Sequence, residues 1–62
     1  MAETTTPTLA DLKFARDEAV VAEVIAHCRY HRHEITADEY AAIHAAKLIA
    51  VREYLDALTA RG

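Results

Sequence analysis

The segment His33-Glu34-Ile35-Thr36-Ala37-Asp38-Glu39-Tyr40 decides the fold, because it separates one long helix from the next. Thr36 and Glu39 have the spacing of a capping box, in which each side chain accepts a hydrogen bond from the other residue's backbone N–H. Ile35 and Tyr40 occupy the hydrophobic-staple positions on either side of this cap. The acidic residues after Thr36 suit the positive end of a helix dipole. The segment therefore predicts a helix that begins at residue 37.

The chain before this segment has no helix-breaking residue between Thr8 and Arg32. Two helix starts are open there. Thr6 can cap with Pro7 at the first helical position, or Thr8 can cap with Asp11 three residues later. We expect a flexible tail at residues 1–6 and one domain at 7–62, with helix 1 at about 8–32, a turn at 33–36 and helix 2 at about 37–60.

A connection of a few residues makes two such helices antiparallel neighbours, so the predicted fold is an all-α, two-helix hairpin. A domain of 62 residues buries only about 60% of the surface of its unfolded chain, so a lone monomer is marginal. The single cysteine, Cys28, excludes an internal disulfide. Alanine supplies 14 residues of the 53% hydrophobic composition, and alanine adds little buried area.

Charge and targeting features narrow the class of protein. The net charge of −3 disfavours general binding to nucleic acid or to an anionic membrane. Neither a signal peptide nor a stretch long enough to span a membrane is evident, so we expect a soluble cytoplasmic protein.

Each helix shows two apolar faces when its residues are projected at about 100° apart. We predict that the larger side chains form the core of the hairpin. These are Phe14, Val21, Ile25, Leu48, Val51, Leu55 and Leu58.

A hairpin covers only one face of each helix, so the alanine-rich second faces are predicted to recruit a second copy or another helical protein. Two copies would form a four-helix bundle. The alternative is that alanine is simply a good helix former on an exposed surface. The predicted interaction residues are Ala15, Ala19, Ala22, Ala26, Ala42, Ala46 and Ala50, with Leu48, Val51, Leu55 and Leu58.

Two polar residues interrupt the large-residue stripes. His44 lies within the stripe of helix 2, so it needs a hydrogen-bond partner or a place at the edge of the bundle. Asp17 lies between Phe14 and Val21, and the hairpin register places it near Arg52. We therefore predict a salt bridge between Asp17 and Arg52 that helps to set the alignment of the helices.

The residues His27, Cys28, His31 and His44 are a candidate zinc cluster, since zinc accepts mixtures of imidazole and thiolate ligands. Their spacing matches no zinc motif, and histidines near a helix C-terminus also complement its negative dipole without any ligand. We predict no metal and no cofactor.

Arg29, Tyr30 and Arg32 are the candidate RNA or phosphate contacts, because arginines hold phosphates and tyrosine stacks on bases. In architecture, though not in any motif, the predicted hairpin resembles ROP-like helical hairpins, small dimers that bind RNA loops. The simpler interpretation is again dipole complementation in the last turn of helix 1.

Catalysis is not predicted. The chain contains no serine, no glycine-rich phosphate loop and no cleft that a single hairpin could form.

The stretch Thr36-Ala37-Asp38-Glu39-Tyr40 followed by an Ala/Leu-rich helix resembles the small two-helix co-chaperones of type III secretion needle subunits. That resemblance implies docking on a larger helical-repeat chaperone through Tyr40, Leu48, Leu55 and Leu58. Our main expectation is a small regulatory or interaction module that acts as a homodimer. The co-chaperone and the RNA-binding hairpin are the alternatives.

Overall fold

The computed structural model describes residues 6–61, which form two α-helices packed against each other. Helix α1 spans Leu9–His31 and helix α2 spans Ala37–Arg61. No strand occurs within residues 6–61. The predicted all-helical hairpin is confirmed, and both helices begin and end within one residue of the expected positions. Most of the predicted tail, residues 1–5, lies outside the described residues.

Both helices begin with a capping box. The Thr8 hydroxyl accepts a hydrogen bond from the Asp11 backbone N–H at 3.1 Å, and the Asp11 carboxylate accepts one from the Thr8 backbone N–H at 3.0 Å. Thr8 rather than Thr6 is therefore the N-cap of α1. Thr36 and Glu39 make the same reciprocal pair at 3.1 and 2.8 Å, as predicted.

The end of α1 is a Schellman motif, in which the backbone turns through a residue with a positive φ angle. That residue is His33, at φ 61°. Its N–H donates to the Tyr30 carbonyl at 3.0 Å, and the Glu34 N–H donates to the Arg29 carbonyl at 2.8 Å. The sequence prediction did not specify this motif, because its usual marker is glycine and the only glycine of the chain is Gly62. A non-glycine residue in this conformation costs roughly 1 kcal/mol.

Three contacts between the helices share one register. They are the Arg16 guanidinium at 4.6 Å from the centre of the Tyr54 ring, the Lys47 Nζ at 3.2 Å from a Glu23 carboxylate oxygen, and the stacked rings of Tyr30 and Tyr40 at 5.4 Å.

This register defines a line of facing residues whose spacing alternates between three and four along both helices. Such alternation is the pattern of a coiled-coil interface. Apolar residues, mostly alanines, alternate there with polar or aromatic ones. Small side chains at such positions allow two helices to pack closely. We call these residues the seam: Leu12, Arg16, Ala19, Glu23, Ala26 and Tyr30 of α1, and Tyr40, Ile43, Lys47, Ala50, Tyr54 and Ala57 of α2.

The predicted core is wrong. Ala26, at 2% exposure, is the only fully buried residue in the part of the chain whose burial is described. Phe14 is 66% exposed because it lies on the side of α1 that faces away from α2. Of the seven predicted core residues only Val51 is even half-buried. The other six predicted core residues are exposed: Phe14, Val21, Ile25, Leu48, Leu55 and Leu58.

The predicted salt bridge between Asp17 and Arg52 is also wrong. Asp17 instead binds the neighbouring Arg16 at 2.6 Å, and Arg52 lies 3.9 Å from Asp56 one turn later on its own helix. Asp17 and Arg52 lie at similar heights in the observed register, but both lie outside the seam. The predicted salt bridge and the predicted core are thus wrong for the same reason, because both assumed that the helices meet on a different face.

Candidate interaction surface

The seam divides the rest of the hairpin surface into two sides. On each helix, the residue after a seam residue is rotated by about 100° around the helix axis to one side of the seam, and the residue before it is rotated to the other side. Because the two helices are antiparallel, the residues that follow the seam on α1 and on α2 lie on the same side of the hairpin. Residues that follow seam residues therefore form one side together, and residues that precede them form the other.

The side formed by residues that follow the seam is rich in large aliphatic side chains. Val24 is 58% exposed, Leu48 is 52% exposed and Leu55 is 53% exposed. Val20 and Leu58 are exposed beside them, and Val51 is half-buried. We call this the Val–Leu side: Val20, Val24, Leu48, Val51, Leu55 and Leu58.

The side formed by residues that precede the seam carries the small apolar residues. Four of the seven alanines predicted to bind a partner lie here and are exposed. The other three, Ala19, Ala26 and Ala50, lie in the seam and pack within the hairpin. We call this the alanine side: Ala15, Ala22, Ala42 and Ala46, with Ile25 and Ile49.

A third apolar strip follows α1 directly opposite the seam. Phe14 and Val21 are one heptad apart on it, and the exposed thiol of Cys28 is one heptad further on. A shallow surface depression borders this strip. It is lined by Phe14, Asp17, Glu18, Val21, Ala22 and Ile25.

Glu23 is the polar centre of the seam, and its side chain is 16% exposed. Its carboxylate is hydrogen-bonded to His44 Nδ1 and forms the ion pair with Lys47 described above. The hydrogen bond with His44 is the largest influence on the pKa of Glu23 and lowers it. Burial opposes this shift, and the hydrogen bond and positive charge of Lys47 add smaller downward effects, so the pKa lies below its ordinary value. His44 is thus a half-buried histidine with a partner, which meets the hydrogen-bonding requirement predicted for it.

The candidate metal ligands do not assemble into one site. The His27 and His31 rings lie 4.4 Å apart, edge to face. His44 is bound to Glu23, and Cys28 lies on the outer strip of α1. Within the described residues, no three histidine, cysteine or acidic side chains come close enough together to hold a metal ion.

The candidate RNA contacts are engaged within the turn. Arg29 Nε lies 3.5 Å from one Glu34 carboxylate oxygen, and Arg32 Nε lies 3.2 Å from the other. The Tyr30 ring stacks on Tyr40. Both arginines thus share an acidic partner, and the tyrosine already has one face covered.

Sequence reasoning missed Val20, Val24 and the role of Glu23. The signal that could have found them was the alternation of three and four between Leu12 and Tyr30. Hydrophobicity alone does not reveal that alternation, because the charged residues Arg16 and Glu23 occupy two of its positions.

Neither helix, within the described residues, is both long enough and apolar enough to cross a membrane. Comparison with protein-family models, with curated proteins and with solved structures finds no match.

Proposed function

We propose that this chain is a non-catalytic interaction module, a small regulator that works by packing its helices against a second copy to form a homodimeric four-helix bundle. The observation that carries the proposal is the exposure of its large aliphatic side chains. Val24, Leu48 and Leu55 each expose more than half of their surface, whereas the one fully buried residue among those whose burial is described is an alanine. A second copy would supply the apolar surface that the hairpin itself lacks.

The two alternatives have weaker support. The co-chaperone resemblance implies that Tyr40 is available for docking, but its ring is stacked on Tyr30. RNA binding through Arg29 and Arg32 would have to compete with Glu34, which pairs with both arginines. Exposure of Leu48 on α2 is compatible with a different helical partner, and the test below separates that case from a homodimer.

The test is sedimentation equilibrium of the purified chain from micromolar to millimolar concentration, with far-UV circular dichroism on the same samples. We expect a species of twice 6.9 kDa that loses mass and helicity together on dilution. A fully helical monomer at every concentration would refute the homodimer and direct attention to a heterologous partner.

A further inference from the structure

The two sides of the hairpin differ in charge. Five carboxylates and one arginine lie on the alanine side, and the arginine is already paired with Glu34. A two-fold axis through this side would place it against its own copy, so that the acidic groups of one chain would face those of the other. The charged residues of the alanine side are Asp11, Glu18, Arg29, Glu39, Glu53 and Asp56.

The Val–Leu side carries charge only near the open end of the hairpin. Among the described residues that follow the seam, Lys13 and Asp17 are the only ones with a formal charge at neutral pH, and their charges are opposite. Asp17 is bound to Arg16. Self-association through this side therefore buries aliphatic surface without opposing like charges.

The position of the apolar residues also suits a symmetric contact. Val20 lies at the middle of α1, and Leu48 lies near the middle of α2. In the observed register Leu48 lies at a height between Val20 and Val24, so residues of both helices form one continuous patch. A large patch at the centre of a face is the usual arrangement of an interface core.

We propose that the second copy docks on the Val–Leu side, so that Val20, Val24, Leu48 and Leu55 of both chains form the core of the bundle and the acidic alanine side faces outwards. This inference rests on the proposed homodimer and specifies its interface. It keeps Leu48 and Leu55 from the interaction residues expected from sequence, but not the alanines expected to recruit the partner with them. Small residues predicted to face another chain are instead divided between the seam and the outer surface.

Neighbouring residues offer a matched test. Leu48 and Ile49 are adjacent on α2 and are 52% and 59% exposed, but they lie on opposite sides of the hairpin. Val24 and Ile25 are the equivalent pair on α1, at 58% and 54%. All four positions are exposed in the isolated hairpin, so each should tolerate glutamate. A difference in dimerisation between the two members of a pair therefore shows which side of the hairpin lies in the interface.

The experiment measures the dimer dissociation constant of each variant by sedimentation equilibrium. Leu48→Glu and Val24→Glu should each raise it by about 100-fold or more, since an unpaired carboxylate is then buried. Ile49→Glu and Ile25→Glu should change it by less than about threefold. Equal effects within a pair, or larger effects for the isoleucines, would overturn the proposed interface but leave the homodimer intact. A monomeric wild-type chain would overturn both.

A second measurement avoids variants that lose their fold. In a Cys28→Ala background, Leu48→Cys and Ile49→Cys are mild changes whose thiols can be labelled with a maleimide. The thiol introduced by Leu48→Cys should become protected as the protein concentration rises, and that introduced by Ile49→Cys should not. Equal labelling at both positions in a sample shown to be dimeric would contradict the proposal.

Discussion

The seam and the Val–Leu side use opposite chemistry. The seam joins the two helices through alanines, an ion pair and stacked aromatic rings, whereas the Val–Leu side presents valines and leucines to the surroundings. Polar and aromatic pairs fix register well because only one alignment satisfies them, but partly exposed ion pairs add little stability. The comparison shows that the contacts between the two helices set their alignment, whereas most of the large aliphatic side chains stay exposed.

The largest expected effect comes from placing a charge in the seam. Ala26→Glu buries a carboxylate without a partner, so it should destabilise the fold by about 3 kcal/mol or more and remove most of the helical signal. Ala22→Glu is the control, because Ala22 lies one turn earlier on the exposed alanine side. It should change stability by less than about 0.5 kcal/mol. Urea denaturation followed by circular dichroism measures both variants, and a similar loss in both would contradict the assignment of the seam.

Aromatic residues provide the next comparison. Tyr40→Ala removes a half-buried ring that stacks on Tyr30, and we expect a loss of about 2 kcal/mol. Phe14→Ala removes a ring that is 66% exposed on the outer strip of α1. Its effect should stay below about 0.5 kcal/mol in the same denaturation experiment. The reverse order would mean that the outer strip, and not the seam, holds the helices together.

The turn gives a smaller effect of opposite sign. His33→Gly relieves the cost of a positive φ angle in a side-chain-bearing residue, so stability should rise by roughly 0.5 kcal/mol or more. His31→Gly places glycine within α1 and should lower stability by about 1 kcal/mol. Thermal melting at a fixed protein concentration compares the two variants. Destabilisation by His33→Gly would show that the Schellman geometry is not formed in solution.

Acid should weaken the fold gradually. The hydrogen bonds to His44 and Lys47 lower the pKa of Glu23 below its ordinary value of 4.5, and the two hydrogen bonds with Thr36 lower that of Glu39. A carboxyl group with a lower pKa in the folded state than in the unfolded state stabilises the fold, and this contribution is complete at pH values above the unfolded-state pKa. It is lost as the pH falls from about 4.5 through the folded-state pKa. Glu23→Gln should flatten part of this loss in urea titrations between pH 6 and about 3. An unchanged acid profile in Glu23→Gln would contradict the contribution of Glu23.

The sequence was sufficient for the helices and their connection, because capping boxes and an uninterrupted helical stretch are local signals. Thr8, Asp11, Thr36 and Glu39 act as their spacing predicts. It was not sufficient to identify the face on which the helices meet. The size of Phe14, Val21 and Ile25 favoured one face on hydrophobicity alone.

The contacts of the other face could not be derived from periodicity. Arg16 and Glu23 look like solvent-exposed charges until each has its partner on α2, and those partners, Tyr54 and Lys47, become visible only when the register is known. The turn residue His33 was missed for a similar reason, because its conformation is imposed by hydrogen bonds to the end of α1.

The most direct test of the central claim is the concentration dependence of the melting temperature of the wild-type chain. If the hairpin completes its core with a second copy, a hundredfold increase in concentration stabilises the dimer by about 2.7 kcal/mol. For a dimer of this size the melting temperature should then rise by roughly 10 °C. A melting temperature that stays constant over that range would show that the isolated hairpin is stable by itself, and would contradict the account.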